Sequence, residues 1–276
     1  MEFSVETMLY FALAITGAGV AAGLIAGLLG VGGGIVLVPV LFYLFTLMGL
    51  DDNVRMHMAV GTSLSTVVAT ALSSSRAHYA KGAIDVALLR SWGPALLVGA
   101  IIGMMLFSIL KSSYLTLIFA VMTLLVALYM LFGPNRQDSD TGQLPTGFLR
   151  SLYGVLVGSL SSIMGIGGGT LSVPLLTLYR YPMRRAVGTA AAIGLIIAIP
   201  GTIGAFIAGI GSPGRPPFSV GYVNVLAFLL LIPITGFMAP IGARIAHSIN
   251  PRYLRIAFAL FLIFNASNML YTAFRH

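Results

Sequence analysis

Apolar residues run through this chain in long blocks, separated by short polar gaps that gather arginine, asparagine, glycine and proline. Blocks of about 20 apolar residues match the thickness of a bilayer core, so the pattern predicts membrane-crossing helices. The blocks lie near residues 8–29, 34–48, 55–75, 86–109, 113–133, 147–165, 169–180, 184–210, 220–247 and 251–273. Two of them, 34–48 and 169–180, are short, and each contains a proline, Pro39 or Pro174. Half-helices and re-entrant hairpins both fit these two, and both leave the assignment of the loops unchanged.

Each short block follows a glycine cluster. GLLGVGGGIVLVPVL places Gly30, Gly32, Gly33 and Gly34 within five positions, and MGIGGGTLSVPLL repeats the arrangement with Gly165, Gly167, Gly168 and Gly169. Gly30 to Pro39 superimposes on Gly165 to Pro174 at an offset of 135, and AVGTS, Ala59–Ser63, meets AVGTA, Ala186–Ala190, at an offset of 127. Pro94, Gly103, Tyr114, Phe119 and Ala120 fall on Pro233, Gly242, Tyr253, Phe258 and Ala259 at 139. The chain therefore reads as a duplicated five-helix unit. An odd number of crossings inserts the second copy upside down, which predicts an all-α polytopic protein built from two inverted repeats with glycine-broken helices. Residues 1–133 form the first repeat, 134–146 a linker and 147–276 the second repeat, the linker lying in the polar stretch GPNRQDSDTGQLPTG.

Composition agrees with this picture and removes several chemistries. Only 8% of the 276 residues are charged and 58% are hydrophobic, whereas soluble domains carry about a quarter charged residues. There is no cysteine, which excludes thiol catalysis, disulfides and thiolate metal sites. The N-terminus carries Glu2 and Glu6 where a signal peptide is basic, so the first block reads as a retained helix. Ten crossings put Arg76, Lys81, Arg90, Arg136, Arg150, Arg180, Arg184, Arg185, Arg244, Arg252 and Arg255 on one face, and Arg55, Lys111, Arg215 and Arg275 on the other. The positive-inside rule makes the first face cytoplasmic, with both termini outside, and suits a multi-pass protein of the cytoplasmic (inner) membrane. The net charge of +8 is thus mainly a topology signal; the basic residues are dispersed over short loops and do not suit nucleic acid.

Paired glycine breaks in inverted repeats point to a secondary transporter with its substrate near the midplane. Non-helical backbone at that depth must line a cavity or be buried in protein. Glycine lets a ligand approach the main chain, and two half-helix N-termini would aim N–H groups and positive dipole ends at one point, which suits an anion. The expected site comprises Gly30, Gly32, Gly33, Gly34, Gly165, Gly167, Gly168 and Gly169. Hydroxyls of Thr62, Ser63, Thr170 and Thr189 are added, with weaker candidates Ser65, Thr66, Ser161 and Ser162. Against this stands close helix packing through small residues, and, for the hydroxyls, bonding to the preceding turn of their own helix. His57, Arg76, His78, Arg184 and Arg244 are candidates for anion recruitment, with His247 beside the last; His57 and Arg184 align across the repeats. Every acidic residue falls in a tail, a loop or a helix edge, so a coupling proton would travel on the substrate or through histidine.

These motifs resemble the sulfite exporter TauE/SafE family. The resemblance rests on GLLGVGGGIVLVP, AVGTS, RAHYAKGAID, IMGIGGGTLSVP, RRAVGTA and GARIAHSINPRYLRIAFALFL, and covers nearly the whole chain. It implies export of small anions such as sulfite or organosulfonates, in the sulfoacetate class. The segment GSPGRPPFSVGYVN, 211–224, is longer than the matching turn of the first repeat and looks like a variant found in part of the family. A secondary transporter working by alternating access is the leading expectation, proton-linked transport one form of it, and a passive anion channel the alternative. The partners expected are a small anionic substrate, the lipid bilayer and a coupling proton. An enzyme is disfavoured, since there is no cysteine, no HExxH, no metal-spaced histidine cluster and no buried acid pair, and the lack of a nucleotide-binding motif disfavours a primary pump. No cofactor is expected.

Overall fold

The computed structural model describes residues 5–29, 33–133, 142, 144–246 and 251–275. Ten α-helices account for most of them. The first five are α1 (Val5–Leu29), α2 (Gly34–Leu47), α3 (Asp52–Ala80), α4 (Val86–Ile109) and α5 (Ser112–Phe132). The second five are α6 (Phe148–Ile163), α7 (Gly169–Leu178), α8 (Met183–Ala208), α9 (Val225–Ala246) and α10 (Pro251–Arg275). Each expected block is a helix, with ends shifted by a few residues. One element was not expected: a two-stranded antiparallel hairpin, β1 (Ser219–Val220) with β2 (Val223–Asn224), within the long insertion. Most of the proposed linker, 134–141 and 143, lies outside the described residues.

Among the described residues, four helical segments are long and apolar enough to cross a membrane: Val86–Ile109, Ser112–Phe132, Met183–Ala208 and Ile256–Ala273. They turn large apolar side chains outward, as Leu97, Val98, Ile101, Ile102, Met105 and Ile109 do on α4 and Ile199, Ile203, Phe206 and Ile207 on α8. Exposed apolar patches of that extent are unusual on soluble proteins and suit a lipid face. By contrast α2 has 14 residues and α7 has 10, about 21 and 15 Å of helix, too short to cross a core of about 30 Å alone.

Helices pair in a pattern that survives exchange of the two halves of the chain. Helix α1 packs on α9 and α4 on α6; α3 lies along α8 and α5 along α10; α2 rests on α3 and α7 on α8. The first two pairs are joined through glycines, spaced four apart on α1 (Gly19, Gly23), α4 (Gly99, Gly103) and α6 (Gly154, Gly158). A Cβ at Gly158 would lie 2.2 Å from the Leu96 carbonyl oxygen, and one at Gly99 2.3 Å from that of Val155. The matching contacts in the other pair are Gly23, 2.7 Å from Met238 Cβ, and Gly242, 2.2 Å from the Leu24 carbonyl oxygen. Dispersion between backbones in near contact replaces the hydrophobic effect that lipid cannot supply. Small-residue packing is therefore present, and it is concentrated on helices other than the two short ones.

The core follows the central pair. Residues 54–67 of α3 are all buried, and Ala186, Thr189, Ala190, Ile193, Ile197 and Ala198 of α8 are buried too. That is where the AVGT motifs sit.

Candidate functional site

The two glycine breaks touch each other. Helix α2 begins after Gly33, whose φ of 76° and ψ of −21° are left-handed, and whose carbonyl accepts from the N–H groups of Val36 (3.0 Å) and Leu37 (2.9 Å). On the other side, Gly165 takes φ 70° between α6 and α7. A Cβ on Gly34 would fall 2.8 Å from both the Gly165 carbonyl oxygen and the Ile166 Cα, so glycine at 34 is what lets the backbones meet. Around this junction, Gly165 abuts Val60 of α3, Gly167 abuts Val67 of α3, and Gly168 abuts Ile193 and Ile197 of α8. The start of α2 thus lies against the buried break that leads into α7, with α3 and α8 packed around that break. Gly30 and Gly32 lie outside the described residues.

Buried hydroxyls surround the point, and they divide into two groups. The first group is spent on the protein. Ser63 Oγ donates to the Gly165 carbonyl at 2.8 Å and ties α3 to the second break. Ser65 and Thr66 both donate to the Thr62 carbonyl one turn back, at 2.7 and 3.0 Å. Ser162 donates to the carbonyls of Ala100 and Ser159, and Ser172 makes a very short bond to that of Gly168. The second group is small: Ser161 Oγ and Thr170 Oγ1 are fully buried and meet no hydrogen-bond partner. Such a group costs about 1–3 kcal/mol if nothing polar ever satisfies it. Thr170 occupies the first turn of α7, and Ser161 the last turn of α6 before the break.

Thr62 and Thr189, the matched threonines, do something the sequence pattern did not reveal. Thr62 Oγ1 accepts the N–H of Asn224 at 3.0 Å, and Thr189 Oγ1 accepts the N–H of Asp85 at 2.9 Å. Asn224 and Asp85 are themselves the residues that start α9 and α4. Their side chains accept from Ala227 N–H (2.8 Å) and Leu88 N–H (2.9 Å), the geometry of helix N-caps. The preceding glycines complete the arrangement: a Cβ on Gly61 would lie 2.3 Å from the Tyr222 carbonyl oxygen, and one on Gly188 2.4 Å from that of Ala83. Each AVGT motif is a seat for the incoming loop of the other half, where glycine admits the chain and threonine fixes the cap. An Asp or Asn just before an apolar block was the available signal.

The two seats differ in charge. Asp85 accepts a short hydrogen bond from the Tyr181 hydroxyl and pairs with Arg185 at 3.2 Å, joining the loop before α4 to the start of α8. Burial pushes the Asp85 carboxyl up, but the Tyr181 hydroxyl, the Leu88 N–H, Arg185 and the Ala87 N–H outweigh it and hold it below the ordinary carboxylate range. At the other seat the cap is the neutral Asn224.

Arg76, His78 and Arg184 are not gathered at the breaks. Arg76 and Arg184 are exposed and His78 is half-buried; Arg184 donates to the Lys81 carbonyl at 3.3 Å. Arg244 is in α9, and His247 lies outside the described residues. His57 corrects an expectation. It does not open an entrance opposite Arg184 but is 4% exposed, its ring against Phe107 and Tyr222 and its Nε2 3.1 Å from the Phe107 carbonyl. The apolar faces of α4 and of the insertion cover it. Among the described residues no group of three or more His, Cys, Asp or Glu side chains could hold a metal ion.

A family model described as "Sulfite exporter TauE/SafE" matches residues 15–269. The chain belongs to the sulfite exporter TauE/SafE family. Curated relatives cover the same extent. A probable membrane transporter protein of Haemophilus influenzae is 33% identical over 251 residues, 91% of this chain and 95% of its own length. Another of Methanocaldococcus jannaschii is 30% identical, covering 86% and 87%, and YunE of Bacillus subtilis is 26% identical, covering 92% and 95%. No solved structure matches the chain. This TauE/SafE protein is a membrane transporter by family, and the paired breaks and the two AVGT seats lie inside the matched region.

Proposed function

We propose that this protein is a secondary transporter exporting small anions, of the sulfite and organosulfonate class, across the cytoplasmic membrane by alternating access. The observation that carries the reading is the contact of the first residue of α2, Gly34, with the break between α6 and α7, a break flanked by two buried hydroxyls, Ser161 and Thr170, with no protein partner. Helix N-termini offer N–H donors and positive dipole ends, and a hydroxyl without an acceptor is a donor in waiting, so an oxyanion satisfies both at once. The proposed substrate-binding set is Gly33, Gly34, Gly165, Gly167, Gly168, Gly169, Thr170 and Ser161, with Gly30 and Gly32 included on the sequence repeat alone. Ser63 ties α3 to the second break, and Thr62 and Thr189 hold the caps of α9 and α4 around it.

Exchange of the halves maps the pairs α1–α9, α4–α6, α3–α8, α5–α10, α2–α3 and α7–α8 onto one another, which supports two inverted five-helix repeats, ten membrane elements and a rocking of one repeat against the other. In this scheme the eleven-cation face is cytoplasmic, both termini are outside, and Arg76, His78, Arg184 and Arg244 draw anions toward the site. A weak oxyanion protonated near neutral pH carries the coupling proton itself.

Counterflow tests the function. In proteoliposomes preloaded with unlabelled sulfite, or with one of a panel of sulfonates, labelled substrate accumulates transiently above its external concentration if the protein is a carrier. Equilibration without overshoot identifies a passive channel, and no movement of any anion overturns the reading.

A further inference from the structure

We infer that a second, peripheral oxyanion site exists at Arg55, away from the paired breaks and independent of whether the central reading holds. A cavity of about 40 Å³ is lined by Phe42, Asp52, Arg55, Ser112, Ser113 and Thr116, with Thr272 and Ala273 closing it from α10. A single water needs about 10–15 Å³ on this measure, so there is room for a polar ligand of several heavy atoms. Arg55 is 9% exposed, and a charge so buried in protein is expected to have its donors paired.

Its protein partners use one nitrogen only. Nη2 donates to the Leu50 carbonyl at 2.9 Å and pairs with Asp52, while the guanidinium lies 5.6 Å from the centre of the Phe42 ring. Nε is buried without a hydrogen-bond partner, and no acceptor among the described residues meets Nη1. Ser112 Oγ accepts the Met56 N–H at 3.0 Å, which leaves its own proton to give. Ser113 is exposed beside it. Unspent guanidinium donors, a serine proton and an adjoining space of this size fit a compact oxyanion such as a sulfonate headgroup. Asp52, half-exposed, is the built-in competitor for the same guanidinium. The site is one-sided: at the offset that aligns the AVGT motifs, Arg55 falls on Pro182. An anion would therefore find this stop at only one end of the molecule.

The test exploits the absence of cysteine from the chain. Ser113→Cys in the full-length protein in nanodiscs is labelled with a maleimide, with methanesulfonate as the probe, since it does not react with the reagent. Methanesulfonate is expected to slow labelling, while chloride at equal ionic strength does not. Arg55→Gln raises the half-protecting concentration about 10- to 100-fold, the equivalent of one charge-assisted hydrogen bond. Asp52→Asn lowers it several-fold, a gain that misfolding cannot mimic and that stands as the decisive variant if Arg55→Gln fails to fold. Absence of protection, equal protection by chloride, or no gain in Asp52→Asn overturns the site. A protein that shows this protection but no counterflow refutes the proposed transport and leaves the Arg55 site standing; the converse result does the reverse.

Discussion

Replacing Thr62 by valine keeps the shape of the side chain and removes the oxygen that holds Asn224. The N–H of Asn224, in a residue 1% exposed, then has no acceptor and no water. An orphaned buried N–H costs about 1–3 kcal/mol, and measured interhelical hydrogen bonds in membranes average about 0.6 kcal/mol, so about 1–2 kcal/mol is expected for Thr62→Val. At 1.4 kcal/mol per decade, that is about a 5- to 30-fold loss in the folded-to-unfolded ratio. The same change at Thr189 strands the N–H of Asp85, which is only half-buried and is held in addition by Arg185 and Tyr181, so its cost is smaller, on the order of 0.5–1 kcal/mol. Thr→Ser at either position keeps the acceptor and stays within about 0.5 kcal/mol of wild type. Equilibrium unfolding of purified protein in mixed micelles, followed by the fluorescence of Trp92, gives all four values. Valine variants as stable as wild type, or a Thr189→Val loss exceeding that of Thr62→Val, would refute the seat as the reason for the motif.

Three further outcomes follow from the geometry. Gly158→Leu and Gly23→Leu force apart the α4–α6 and α1–α9 pairs, where a Cβ already meets neighbouring atoms at 2.2 and 2.7 Å, and each should abolish folded protein on size-exclusion chromatography, with the corresponding alanine variants weakened but recoverable. Asp85→Asn should lower stability at pH 5–8. Because the folded carboxyl sits below its unfolded value of about 3.9, the difference from wild type should persist above that pH and shrink as pH falls through the folded value; a difference that grows on acidification contradicts the clasp. Gly34→Ala should impair transport more than Gly93→Ala, since the former meets backbone at 2.8 Å and the latter only the tip of Ile196 at 3.4 Å; equal counterflow rates in the two would count against contact between the breaks.

What could be read from the sequence was whatever leaves a local trace. Apolar blocks gave the helices, and the GGG runs, which place small residues all around a helix, marked two breaks rather than packing stripes. Membership of the TauE/SafE family was legible from the same motifs. Which partner each motif serves was not legible. The oxygen of Thr189 meets a residue 104 positions earlier and that of Thr62 one 162 positions later, distances at which the chain carries no periodic signal. His57 looked like an entrance because it is polar at a block edge; its burial depends on Phe107 and Tyr222, brought in from α4 and the insertion. Arg55 registered only as a charge on the minor face, since its unspent donors exist only once Leu50, Asp52 and Phe42 are folded around it.

The central claim is that an anion binds where the two breaks meet, and its most direct measurement is sulfite counterflow by Thr170→Val, taken together with the stability of the same preparation. Thr170 has no protein partner for its hydroxyl, so the isosteric change should leave stability equal to or above wild type while counterflow falls by at least about tenfold, the worth of one hydrogen bond to a charged ligand. Wild-type counterflow with undiminished stability would contradict the account, because the one hydroxyl of α7 left without a protein partner would then have no substrate partner either.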